Sequence, residues 1–185
     1  LRRIVQQAGA IPNLNAEDYM SRFINPVLDT LGLHAAPSAG GDGHADYLLK
    51  PKDGAARAAP LAALLVYPWD RPLDRKDDQE RDRAEDVPGI RVVKALEAHG
   101  LPWAILTNGK DWRLYCAGAH SRASNYYEVE LPGALESDDL SPFRYFYLFF
   151  RAEAFAPNMT DAAPAPVVCF LDRLLKGSAD FAKEL

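Results

Sequence analysis

The sequence is poor in the features that usually narrow a function at once. It has only two cysteines, Cys116 and Cys169, far apart and without a second cysteine or a histidine at ligand spacing. That pattern gives no zinc ribbon or finger, and the two residues read as buried free thiols rather than a disulfide framework. No run of about 18 apolar residues is present, so a membrane-spanning helix is not expected. No apolar stretch follows the opening LRRIVQQ, which therefore does not read as a secretory signal. The expectation is a cytoplasmic protein with no membrane partner. Excess positive charge is also missing: 21 Lys and Arg against 26 Asp and Glu give a net charge of −5. A freestanding nucleic-acid binder is usually basic, so DNA contact here requires a local patch or a neighbouring domain. Gly40-Gly41-Asp42-Gly43 lacks the Lys-Ser/Thr that follows in a phosphate loop, and reads as a turn. His34, His44, His99 and His120 compose no triad, and His44-x-Asp46 reads as loop polarity. There is no internal repeat.

What is present suits one domain with an appended segment, since 48% of the residues are hydrophobic. Residues 16–31 read as a helix capped by Asn15 and ended by Gly32. Tyr19, Phe23, Val27 and Leu31 line one face of it, and Pro26 is expected to kink or divide it. Residues 37–44 are loop. A strand follows from Ala45 to Lys50, carrying Asp46. Residues 51–60 are a Pro/Gly/Ala turn region, and Leu61–Tyr67 is an apolar strand covered on both faces. The mixed run DRPLDRKDDQERDRAED at 70–86 reads as a solvated surface. A helix over Pro88–Ala98 closes at Gly100. Strands Trp103–Thr107 and Asp111–Cys116 flank Asn108-Gly109, which favours the positive φ angles of a tight hairpin turn. Tyr126–Leu131 makes a further strand, 142–155 an aromatic helix, 157–166 a Pro/Ala linker, and 167–185 an amphipathic helix with Val168, Leu171, Leu174 and Leu175 on one side. The fold class expected is α/β: a mixed sheet flanked by helices, residues 1–156, with a linker and connector helix at 157–185 leading towards a downstream domain.

WAILTNGKDWRLY (Trp103–Tyr115) resembles the LTNG hairpin of type IIG restriction–modification enzymes and their methyltransferase-like relatives. FRYFYLFFRAEAF (Phe143–Phe155) resembles the aromatic helix that follows it there, FINPVLDTLG (Phe23–Gly32) their opening helix, and FLDRLLKGSADFAKEL their helical connector. The resemblance spans nearly the whole chain, and the LTNG hairpin is its most specific part. It implies a PD-(D/E)xK nuclease-like fold at the N-terminus of a restriction–modification or phage-defence protein. The S-adenosylmethionine-dependent methyltransferase would lie outside this chain, and DNA would be a partner.

In such proteins one Asp ends a strand and a Glu-x-Lys sits on the next. Two carboxylates hold Mg²⁺ through hard oxygen ligands, and the metal activates water. The lysine adds positive charge near the developing oxyanion. By resemblance, Asp46 matches the first acid and the candidate metal ligand, and Glu17 is the candidate first-helix acid. Trp69, Arg71, Leu73 and Asp74 fit the tail of the motif. Leu65 then stands where Glu is expected, Tyr67 where Lys is expected, and Arg91 where a helix Gln is expected. No Glu or Lys occurs anywhere in Leu61–Tyr67. Two explanations compete: the domain has lost cleavage and kept a DNA-positioning or docking role, or the acids have migrated, with Asp70 and Asp74 the nearest replacements and Mg²⁺ retained. A third is a structural interaction domain without DNA contact. Arg71, Lys110, Arg113 and Arg122 are the candidate contacts to a DNA backbone.

Overall fold

The computed structural model describes residues 1–9, 15–40, 44–53, 58–69, 71–74, 87–119, 121–156 and 169–184. The Pro/Ala linker at 157–166, most of the charged run including Asp70, and His120 lie outside them. Among the described residues no helix is long and apolar enough to cross a membrane. The architecture is α/β, with a six-stranded mixed sheet and helices on both faces. The strands are β1 (Leu33–Pro37), β2 (Tyr47–Pro51), β3 (Ala62–Val66), β4 (Trp103–Thr107), β5 (Asp111–Cys116) and β6 (Tyr126–Glu130), and they stand in chain order across the sheet. Only β3 and β4 run parallel; every other neighbour pair is antiparallel. A parallel pair needs a crossover. The helix Pro88–His99, α4 below, makes it and packs on β3 and β4.

The alternation of side chains along the strands sorts the core into two unequal halves. Ala62 and Leu64 of β3, Trp103 and Ile105 of β4, and Trp112 and Leu114 of β5 face the larger half. Ala63 and Leu65, Ala104 and Leu106, and Tyr115 face the smaller half, where α4 contributes Val92, Ala95 and Leu96. The four residues Ala62–Leu65 and all five of β4 are buried, as the apolar run and the central position require. The larger half is covered by α1 (Arg2–Gly9), α2 (Ala16–Tyr19), α3 (Asn25–Thr30), α5 (Leu131–Glu136), α6 (Ser141–Phe150), α7 (Ala152–Phe155) and the start of α8 (Phe170–Glu184). Phe146 and Phe150 of α6 lie edge-on to the buried Trp112, so the aromatic helix fills the core. Leu171 of α8 is buried while Leu174 and Leu175 are exposed.

Several expectations shift in detail. The helix over 16–31 is divided, as Pro26 required, by a π turn at Met20–Ile24. Proline has no N–H to give to the residue four before it, and the widened turn just ahead lets Asn25 N–H reach Met20 O instead. Asn15 does cap α2, accepting from Asp18 N–H at 2.8 Å. Strand β1 and helices α1 and α5 were not expected. Their lengths are five, eight and six residues. Residues 131–136 start a helix where β6 ends because Pro132 falls in the first turn and Glu130 accepts from Gly133 N–H.

The Thr107–Asp111 hairpin is a junction for the rest. Gly109 takes φ +81°. Asn108 keeps an ordinary φ and uses its side chain instead, accepting from Asp111 N–H at 2.7 Å and donating to Arg71 O at 3.0 Å. Tyr19 donates its hydroxyl hydrogen to Asn108 O, which docks the first helices on the hairpin. Trp112 Nε1–H donates to Gly109 O at 2.9 Å. A Cβ at Gly109 would stand 2.0 Å from the Tyr19 hydroxyl and 2.4 Å from Phe23. Gly109→Ala is therefore expected to cost about 2–4 kcal/mol, combining left-handed strain with overpacking. Gly100→Ala, at φ +60° with open space around it, should cost only the backbone part, about 1 kcal/mol. Urea unfolding of both variants checks this; equal losses would show that the hairpin is not a packed junction.

Candidate functional site

Asp46 stands one residue before β2 and is fixed by backbone on both sides. Its N–H donates to Leu64 O at 3.1 Å, and its carbonyl accepts from Ser38 N–H at 3.1 Å. His99, at the far end of α4, holds the preceding residue: its Nε2 accepts from Ala45 N–H at 3.3 Å. Burial and the neighbouring His44 both push the His99 pKa down, which keeps that nitrogen free to accept. The Asp46 carboxylate then has two partners. Oδ2 accepts from the Val66 backbone N–H at 2.8 Å, and Oδ1 accepts from Arg91 Nη2 at 3.3 Å. Arg91 also donates from Nη1 to the Tyr67 hydroxyl at 2.7 Å, with its guanidinium 5.4 Å from the Tyr67 ring centre.

Three positions matched by resemblance, 46, 67 and 91, thus meet in one cluster, and Leu65 points to the same side of the sheet. The chemistry of the cluster follows from the residue types. Leu65 is wholly buried and offers no ligand atom. Burial raises the Tyr67 pKa, more than the Arg91 charge lowers it, so the phenol is neutral at pH 7. Burial pulls the Arg91 pKa down, but Tyr67 and Asp46 outweigh it and leave the guanidinium more firmly protonated than usual. Arg91 lies in the first turn of α4, where the helix dipole disfavours a cation. The Asp46 carboxylate compensates that placement.

A hard divalent cation needs several oxygen ligands. Here one oxygen of the only carboxylate in the cluster faces an amide hydrogen and the other a guanidinium. A metal would have to displace Arg91 and would then share the space with its charge. These residues do not fit Mg²⁺. Among the described residues no three His, Cys, Asp or Glu side chains stand close enough to hold a metal ion. Glu17 is exposed in the first turn of α2 and does not join Asp46 in such a group. Asp74, one of the two acids considered as a replacement, binds Arg113 on β5 at 2.8 Å and accepts from the Tyr126 hydroxyl on β6 at 3.2 Å. β5 is three strands from β2, about 14 Å at ordinary strand spacing. Asp70 lies outside the described residues.

The four basic candidates differ in situation. Lys110 is exposed on the hairpin. Arg122 pairs with Glu97 at 3.0 Å on the surface. Arg71 is buried, with its guanidinium 5.7 Å from the Tyr67 ring centre. Arg113 has a side chain only 5% exposed, held by Asp74 and by Glu128, its cross-strand neighbour, and it covers the Tyr126 ring at 4.3 Å. Burial alone would lower its pKa, but the hydrogen bonds to the two carboxylates and their charges raise it. Two carboxylates balance its charge, Asp74 from the solvent side. Strand alternation placed Arg113 with Tyr115 on one face, but its acidic partners were not evident in the sequence, because Asp74 comes from a distant irregular segment. The motif tail is likewise built into the fold: Trp69 packs edge-on against Phe23, Arg71 O accepts from Asn108, Leu73 is buried under α4, and Asp74 holds Arg113.

No protein-family model, curated protein or solved structure matches the chain.

The Asp46–Arg91 pair is partly buried, with about a third of each side chain exposed. A double-mutant cycle with Asp46→Asn and Arg91→Gln should give a favourable coupling of about 0.5–1 kcal/mol that shrinks at high salt. A coupling of zero at low salt would show that the two charges do not stabilise one another.

Proposed function

We propose that this chain is a nuclease-like domain of the PD-(D/E)xK type from a type IIG-like restriction–modification or phage-defence methyltransferase, that its cleavage site is degenerate, and that it positions DNA or docks its neighbour. The observation that carries this reading is the meeting of Asp46, Tyr67 and Arg91, with Leu65 beside them. These are the positions that the resemblance pairs with the acid, the lysine, the helix glutamine and the second acid. The order helix, strands, helix, strands also supports it. In the degenerate site a guanidinium neutralises Asp46 from within the protein. The methyltransferase and its S-adenosylmethionine belong to a downstream domain.

The resulting role follows from what remains. Arg91 is committed to Asp46 and Tyr67, and Arg71 is buried, so contact with DNA falls to exposed cations. Lys110 stands exposed on the hairpin. Such groups hold a phosphate backbone without cutting it. A second reading, a docking domain without DNA contact, is favoured by the net charge of −5 and by the commitment of Arg113 to Asp74 and Glu128.

Fluorescence anisotropy with a labelled duplex separates the two. DNA positioning predicts binding that weakens steeply as salt rises, because bound phosphates release counterions. It also predicts that Lys110→Ala weakens binding about two- to fivefold without a change in the melting point. Supercoiled plasmid with Mg²⁺ or Mn²⁺ should remain uncut. No binding at low salt would favour the docking reading. Metal-dependent nicking that Asp46→Ala abolishes would reject the degenerate site.

A further inference from the structure

The other end of the first turn of α4 borders a cavity that the cluster at Asp46 does not use. Its volume is about 320 Å³, near the lower end of small-ligand sites. Leu73, Val87 and Ile90 supply apolar wall, and β5 and β6 supply the polar floor through Arg113, Tyr115 and Tyr126. Three kinds of hydrogen-bond donor converge there. The first is the Gly89 N–H at the start of α4, a twelve-residue helix whose N-cap, Val87, gives no side-chain cap; Pro88 has no N–H, and Ile90 and Arg91 donate to Val87 O. A helix start of this kind favours an anion. The second is the buried Arg113 guanidinium, whose partner Asp74 is 70% exposed and therefore displaceable. The third is the Tyr115 hydroxyl. Tyr115 is wholly buried, yet its hydroxyl makes no hydrogen bond of good geometry, although it lies against Arg113.

A buried hydroxyl without a partner costs stability, and such groups ask for an explanation. Burial pushes the Tyr115 pKa up to about 12, so the group keeps its hydrogen and can only be relieved by an acceptor or by a second donor. Arg113 cannot be the whole explanation: a guanidinium can only donate to the hydroxyl oxygen, and the hydroxyl hydrogen still has no acceptor. Gly89 adds a further constraint. A Cβ there would stand 2.4 Å from Ala123 O, so the 121–124 turn approaches the helix start closely and forms one side of the cavity.

We propose that this cavity binds a phosphate monoester, which replaces Asp74 on Arg113 and accepts hydrogen bonds from the Arg113 guanidinium, the Tyr115 hydroxyl and the Gly89 N–H at the start of α4. Asp74 is the placeholder in the empty state. Glu128 stays on Nε and keeps the guanidinium aimed into the cavity. The Ala123 carbonyl accepts from a hydroxyl on the ester. This inference does not rest on the reading of the Asp46 cluster: Arg113 and Tyr115 stand on β5, three strands from β2, although Arg91 shares the first turn of α4 with Ile90.

Calorimetric titration of the full chain with inorganic phosphate, adenosine 5′-monophosphate and adenosine tests it. Both phosphates should bind at millimolar concentrations, and adenosine should not. Tyr115→Phe should weaken phosphate binding about fivefold, the loss of one hydrogen bond, while the melting point holds or rises because an unsatisfied hydroxyl has gone. Asp74→Asn should tighten binding severalfold, because the competing charge is removed. A short oligonucleotide with and without a 5′-phosphate distinguishes a nucleic-acid end from a free nucleotide as the source. The proposal is overturned if phosphate does not bind, if adenosine binds as well as its monophosphate, or if neither variant changes the affinity.

Discussion

The Asp46 carboxylate is the constraint on which this end of the molecule depends. It sits where β2 begins, a third exposed, with its backbone tied to Leu64 and Ser38. A charge held there has to be balanced, since an unpaired, partly buried carboxylate is costly. In this chain β3 offers only an amide hydrogen, because Leu65 and Tyr67 bring no charge. The balance comes from α4, through Arg91. Val92, Ala95 and Leu96 set the rotation of α4 on β3 and β4, and that rotation brings Arg91 of the first turn to Asp46. The Tyr67 hydroxyl is the second acceptor for the same guanidinium. One acid thereby couples the antiparallel half of the sheet to the crossover helix.

The same economy explains why the most specific sequence motif is not a catalytic one. The Thr-Asn-Gly stretch at 107–109 closes β4 on β5, and it also receives Tyr19 from the first helices and holds Arg71 O through Asn108. Trp69, Arg71, Leu73 and Asp74 are each spent on packing or internal pairing. Their roles here are architectural, so their presence says nothing in favour of cleavage. Cleavage would rest on the strand before them.

Much of the sheet was legible because its signals are local. Asn108-Gly109 between two apolar strands, the LAALLVY run, and Pro88 with Gly100 around a helical period each express a short-range rule. The elements that were missed have no such signature. Arg2–Gly9 is half polar and short, β1 is five residues of mixed character, and α5 follows β6 without a break. Positions 46, 67 and 91 stood out in the sequence through resemblance alone. The bond between Arg91 and Asp46 was not legible, because it joins residues 45 apart whose approach depends on the crossover. For the same reason the sequence offered Arg113 as a contact to a DNA backbone, although Glu128 stands directly across the strand pair and Asp74 arrives from outside it. Pairing across a sheet sets side-chain roles that spacing along the chain does not contain.

The central claim is that Arg91 occupies Asp46 in place of a metal. Manganese titration of the ¹⁵N-labelled protein tests it most directly, because a paramagnetic ion at the carboxylate would broaden the Val66 amide that donates to it. The account predicts that the Val66 and Tyr67 amide signals stay sharp in the native protein. Selective broadening of these two signals at low manganese concentration would contradict it.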